Sequence, residues 1–166
     1  MDRTQKRIFA AVLALLLLAV VAVYVFTALD THQAPPFTPP PPETNATLGF
    51  SVLPDEEGTY RTVTVKEGFT VGLCGSPLVS GNVLRLFFSS DEGNTVWLRL
   101  QVTTAEGELL GESGLLTPGQ CLAELPLSRA LAAGSTVKVK VCSYEPETYY
   151  SMGAPSFTVR VLGTKD

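Results

Sequence analysis

The sequence is poor in the residues that catalysis and metal binding draw on. It has one histidine, His32, placed just after the apolar N-terminal run. A Ser-His-Asp triad inside a folded domain is thereby excluded. Cysteine is scarce too: Cys74, Cys121 and Cys142. An odd count leaves at least one thiol unpaired, which rules out a dense disulfide framework. One disulfide plus a thiol, or three thiols, are the two alternatives. The spacings of 47 and 21 residues match no metal motif, and there is no CxxC. GxSxG, P-loop and HExxH patterns are missing as well. No cofactor or metal ion is implied.

Positive charge is absent over a long stretch, with no Lys or Arg between Arg7 and Arg61. Three of the 12 Lys and Arg, and one of the 16 Asp and Glu, precede residue 30. That leaves nine and fifteen beyond it, a net charge of −6. A nucleic-acid partner would require a basic footprint, so nucleic acid is excluded.

What the chain does have is a run of 21 residues without charge, IFAAVLALLLLAVVAVYVFTA, at 8–28. As a helix it spans about 31 Å at 1.5 Å per residue, close to the thickness of a bilayer core. It shows no polar face, unlike a helix of a soluble domain. The competing reading is a cleaved signal peptide. Its apolar region is normally about 7–15 residues, and a small-x-small cleavage site is poor here, so an uncleaved anchor is favoured. Arg3, Lys6 and Arg7 before the run, with none after it, predict a cytoplasmic N-terminus. The expectation is a single-pass protein of the cell membrane with its bulk outside.

The expected layout follows in order: a basic tail at 1–7, the membrane segment at 8–28, a proline-rich stalk at 29–46 and a sandwich at 47–166. APPFTPPPP at 34–42 should be extended and stiff, because proline fixes φ and lacks an N–H. Eight such residues would reach about 25 Å. Asn45-Ala46-Thr47 is a glycosylation sequon where the machinery exists.

Beyond residue 47 the pattern has period two. TYRTVTV, FTVGLC, VLRLFFS, TVWLRLQV, ELLGE, QCLAELPL, TVKVKVCSY and PSFTVRVL read as strands rich in Val, Thr, Leu and aromatics. Turn residues separate them; SPLVSGN at 76–82 reads as a turn, and 47–58 is ambiguous. The fold class is all-β, an antiparallel immunoglobulin-like sandwich. Alternation sends Val96, Leu98, Leu100, Val102, Val137, Val139, Val141, Phe157, Val159 and Val161 inward. Cys121, Ala123, Leu125 and Leu127 alternate inward too, and Cys142 outward. In Thr117-Pro118-Gly119-Gln120, Pro and Gly occupy the second and third positions of a type II turn. Ser113 and Gln120 beside it are expected in solvent. Pro126 cannot donate a ladder bond and belongs at an edge or bulge.

GELLGESGLLTPGQCLAELPLSRALAAGSTVKVKV at 107–141 resembles a pattern in small bacterial single-pass, membrane-anchored surface proteins. The order is a Gly turn, Ser113-Gly114-Leu115, Pro118-Gly119, Leu125-Pro126-Leu127, a loop closed by Gly134 and a Val-rich strand. The resemblance implies an immunoglobulin-like domain on one N-terminal helix and no activity. In that frame TVWLRLQV is strand C, QCLAELPL strand E, TVKVKVCSY strand F and SFTVRVL strand G. VLRLFFS lacks the partner cysteine, and Lys140 stands where a tyrosine corner would be, so an antibody-type domain is excluded.

Two surface features stand out. If strands C, F and G share a sheet, Trp97, Arg99, Lys138, Lys140 and Arg160 project from one outer face. That basic, aromatic-edged patch would suit an acidic protein segment or an anionic envelope polymer; a solvated sheet face is the plainer reading. The loop SYEPETYYSMGAPS at 143–156 carries Tyr144, Tyr149, Tyr150 and Met152, a composition used by recognition loops and also by the caps of open cores. Asp55-Glu56-Glu57 and Asp91-Glu92-Gly93-Asn94 lack the alternation of a dedicated calcium loop. The expected function is therefore an envelope-facing interaction or structural module, or an accessory subunit of a membrane complex, without enzymatic activity. The competing class is a glycan hydrolase using paired carboxylates, which would need two acidic residues converging in a cleft.

Overall fold

Among the described residues, period-two alternation and a lone apolar run translate into one helix and twelve strands. The computed structural model describes residues 2–30, 37–49 and 60–163. It divides into two units, Met1–Thr38 and Pro39–Asp166. The first holds helix α1, Arg3–Asp30. Within its segment Arg3–Val25 an 18-residue window has a mean hydropathy of 3.1 and is not buried, so the helix is long and apolar enough to cross a membrane.

The second unit is an all-β sandwich of two mostly antiparallel sheets. The first sheet orders β1 (Thr47–Leu48), β8 (Gln120–Pro126), β5 (Val83–Ser90), β3 (Thr70–Cys74) and β2 (Tyr60–Thr64). β4 (Leu78–Ser80) also pairs with β5, and β12 (Leu162–Gly163) runs parallel to β4. The second sheet orders β10 (Ser151–Gly153), β9 (Thr136–Tyr144), β6 (Trp97–Thr104) and β7 (Leu109–Glu112), with β11 (Ser156–Arg160) also on β9. Strands read as C, F and G thus lie side by side as β6, β9 and β11.

The core sits between the sheets. Leu98, Leu100, Val102, Val137, Val139, Val141 and Val159 from the second sheet, with Val161 just beyond β11, meet Val71, Leu84, Leu86, Phe88, Leu122 and Leu125 from the first. Phe157 is half-buried against this cluster. Each buried Val or Leu contributes roughly 1.5–3 kcal/mol before ordering entropy is counted.

Four expectations are corrected. SPLVSGN is not only a turn, because Leu78–Ser80 pairs with β5 before the chain reverses at Gly81-Asn82. Cys121 is buried but stands outside the core cluster, whereas Leu122 and Leu125 both join it. The alternation breaks because the register against β5 shifts between Arg85 and Phe88, where Phe87 takes φ 46°. Cys142 keeps outward parity yet is buried, since neighbouring side chains cover it. Ser113 is buried as well. Its Oγ accepts the Leu100 N–H at 2.9 Å and donates to the Gly114 carbonyl at 2.7 Å. All three thiols are free.

The expected turn is present. Gln120 N–H reaches the Thr117 carbonyl at 3.1 Å, and Gly119 has φ 81°, the left-handed value that position demands. Pro126 pairs with Val83 on β5, beyond the two residues of β8 that β1 covers.

The proline segment does more than space. Glu43 N–H donates to the Leu115 carbonyl and Leu115 N–H to the Pro41 carbonyl, both at 2.8 Å. Pro42 and Leu115 form a parallel bridge, and Leu116 is bridged in turn to Leu98 of β6. The Glu43 carboxylate accepts Gly114 N–H at 2.7 Å and Asn45 N–H at 2.9 Å. Proline loses nothing at this edge, because the ladder uses the carbonyls of Pro41 and Leu115 and the N–H groups of Glu43 and Leu115. Residues 39–46, expected in the stalk, therefore fold with the sandwich. His32, Pro35, Pro36 and the acidic cluster at 55–57 lie outside the described residues.

Candidate functional site

The two features marked in the sequence meet on the outer face of the second sheet. Register places Trp97 opposite Tyr144, Arg99 opposite Cys142, Gln101 opposite Lys140 and Thr103 opposite Lys138. On the other side of β9, Ser156 faces Lys140, Thr158 faces Lys138 and Arg160 faces Thr136. Parity then gives β9 an outer face of Thr136, Lys138, Lys140, Cys142 and Tyr144, and gives β11 Ser156, Thr158 and Arg160. Neither strand places an acidic residue there.

The five residues of the candidate face do not share one role. Arg99 has only 19% of its side chain exposed, and its Nη2 lies 2.5 Å from Glu112. Its Nε also donates to the Ser113 carbonyl at 3.0 Å. This charge is neutralised and holds β7 to β6. Trp97 is half-buried, with the Tyr149 ring edge-on at 5.6 Å between centroids. Lys138, Lys140 and Arg160 are exposed. Lys138 Nζ donates to the Ala105 carbonyl at 3.0 Å, which steadies its ammonium without cancelling it. Lys138 and Lys140 lie two residues apart on β9, about 7 Å, and Arg160 stands diagonally from Lys138 on β11, opposite Thr136, so the three cations cluster across the two strands. The lower half of the face is thus cationic and lined by hydroxyls, and the upper half is aromatic.

The tyrosine loop is ordered by its own bonds. Tyr149 N–H donates to the Glu145 carbonyl at 2.8 Å, and Glu145 N–H to the Tyr150 carbonyl at 3.0 Å. The Glu145 carboxylate accepts Thr148 N–H at 2.8 Å and also takes the Thr148 hydroxyl. Those bonds hold the Glu145 carboxyl below its ordinary range, first the hydroxyl and then the amide. Tyr149 carries φ 58°, unusual for a bulky side chain. Tyr144 is half-buried beside Cys142 and Arg99. Burial raises its phenol above the ordinary value, Cys142 adds to this and Arg99 opposes it. Tyr149 and Tyr144 therefore cover the sheet, as capping rings do. Tyr150 and Met152 do not: they are 73% and 52% exposed.

Other candidates are accounted for. In the turn at 91–94, Asn94 Oδ1 accepts Thr70 N–H and its Nδ2 donates to the Thr70 carbonyl, both at 2.8 Å, so this side chain staples β3. Among the described residues no three His, Cys, Asp or Glu side chains are placed to hold a metal. Glu108 is an exposed turn residue paired with Arg129 at 2.8 Å. An open groove of about 510 Å³ between the edge strands β2 and β11 is lined by Arg61, Val63, Leu73, Gly75, Ser156, Phe157, Thr158 and Val159, without a carboxylate.

The chain matches no family model and no curated protein.

Sequence reasoning missed Glu112 and Gln101 at this site. Both lie on the same outer face, and Gln101 Oε1 accepts the Cys142 thiol at 3.8 Å. Glu112 carries no signal of its own in sequence, because it meets Arg99 only through the β6–β7 pairing.

Proposed function

We propose that the chain is a membrane-anchored display module whose cationic β9–β11 face binds an anionic partner outside the cell. The single observation that supports it most is the cluster of Lys138, Lys140 and Arg160, free of carboxylates on its two strands, on a chain with net charge −6 from residue 30 onward. Like charges about 7 Å apart repel by about 0.6 kcal/mol per pair in water. An extended segment with acidic side chains at alternate positions repeats at the same spacing and relieves that repulsion. Complementary charge of this kind sets encounter rate and selectivity more than raw affinity. The N-terminal helix supplies the anchor, with its basic flank in the cytoplasm.

The test is cross-linking in intact cells followed by capture of the full chain, wild type beside Lys138→Glu/Lys140→Glu. A partner retained by wild type and reduced at least tenfold in the variant supports the face as the site, and its chemistry separates an acidic protein from an anionic polymer. A partner captured equally by both removes the face from the binding site.

A further inference from the structure

The β9–β10 hairpin has a different surface chemistry from the sheet below it. Tyr150 and Met152 are its exposed large side chains, 73% and 52% accessible. They lie two residues apart on the same short hairpin, Tyr150 just before β10 and Met152 at the bulge where β10 changes register against β9. The backbone beneath them is fixed by the Glu145–Tyr149 and Glu145–Tyr150 bonds and by the Trp97–Tyr149 contact. Such anchors are presented at low entropic cost. Their surroundings are acidic. Glu145 and Glu147 belong to the hairpin, which has no basic residue between Tyr144 and Gly153. Glu67, from the β2–β3 turn, packs so closely on Gly153 that a Cβ there would clash with it. Lys66 beside it offsets one of these three charges.

We propose that this hairpin is a second docking surface, for a basic polypeptide segment, with Tyr150 and Met152 as anchors and Glu145 and Glu147 as counter-charges. The aliphatic stem of a Lys or Arg packs on Met152, and its cationic head meets the Tyr150 ring and the carboxylates. An anionic polymer or an anionic lipid surface is repelled by the same carboxylates. The surface is thus independent of the cationic face and prefers the opposite charge.

Trp97 is the sole tryptophan of the chain and touches Tyr149, so its emission reports on the hairpin. The full chain in detergent micelles is titrated with three synthetic 12-residue peptides, alternating Arg-Gly, Lys-Gly and Glu-Gly. The Arg and Lys peptides are expected to shift Trp97 emission saturably and the Glu peptide to leave it unchanged. Tyr150→Ala and Met152→Ala, which leave net charge untouched, should each weaken binding about 5- to 10-fold, and Glu147→Gln a few-fold. Lys138→Glu/Lys140→Glu should leave binding intact or tighten it. Thermal melts of each variant verify folding. Equal binding by wild type and Tyr150→Ala would reduce the effect to general attraction by an acidic chain and overturn the proposal. So would binding of the Glu peptide, or no binding of either basic peptide.

Discussion

Glu145 shows how one side chain organises a whole turn. Its carboxylate is bound by the Thr148 hydroxyl and amide, and its backbone is bound at both ends of the loop. Because its folded pKa is lowered, its contribution is present above the unfolded value and is lost as pH falls through the folded one. Acidification should therefore loosen the hairpin only below the ordinary carboxylate range. Trp97 emission followed across an acid titration checks this: Glu145→Gln should abolish the acid transition of the signal while the wild type retains it. The thiols belong to the same scale. Burial raises the Cys74 and Cys121 thiols, with the Ser76 and Gly49 backbone partly opposing, so both are inert small apolar groups.

At the scale of elements, the strap at 39–43 ties a proline segment to the β7–β8 connection. Gly114 is essential to that contact. A Cβ there would stand 2.6 Å from the Glu43 nitrogen and 2.7 Å from its Cα. Gly114→Ala should displace the strap while the core, which it does not touch, stays folded. Hydrogen exchange at the Leu115 amide, now bonded to Pro41, should quicken about 5- to 150-fold, corresponding to the roughly 1–3 kcal/mol of an exposed and broken pair of bonds. Unchanged protection would show that the strap does not depend on the close approach. The strap also explains why period-two reading misplaced the boundary between stalk and domain. A proline run signals extension, and extension serves a spacer and an edge strand equally well.

At the scale of the molecule, the chain joins a helix long and apolar enough to cross a membrane to an acidic sandwich. The proposed topology, with Arg3, Lys6 and Arg7 on the cytoplasmic side, predicts that a membrane-impermeant maleimide labels Thr62→Cys, an exposed site on β2, in intact cells. Asp2→Cys should label only after permeabilisation, and the reverse pattern would invert the topology. The buried native thiols keep the background low.

Local chemistry alone settled much of this protein. Val, Thr and Leu alternating at period two set the strands and named most of the core, from Leu98 and Leu100 to Val137, Val139 and Val141, because a one-residue slip would put those side chains in water. Pro118-Gly119 dictated its own turn through φ. The helix followed from a run of 21 uncharged, mostly apolar residues without a polar face. What pairing across long sequence distances decides was not legible. Arg99 looks like a free cation until β7 brings Glu112 to it. Cys142 looks exposed until Gln101 and its neighbours close over it. Ser113 looks solvated until β6 presents the Leu100 amide. Each of these outcomes depends on which strand lies alongside. Strand order is chosen by the packing of the two sheets as a whole, not by any residue's own neighbours in the chain.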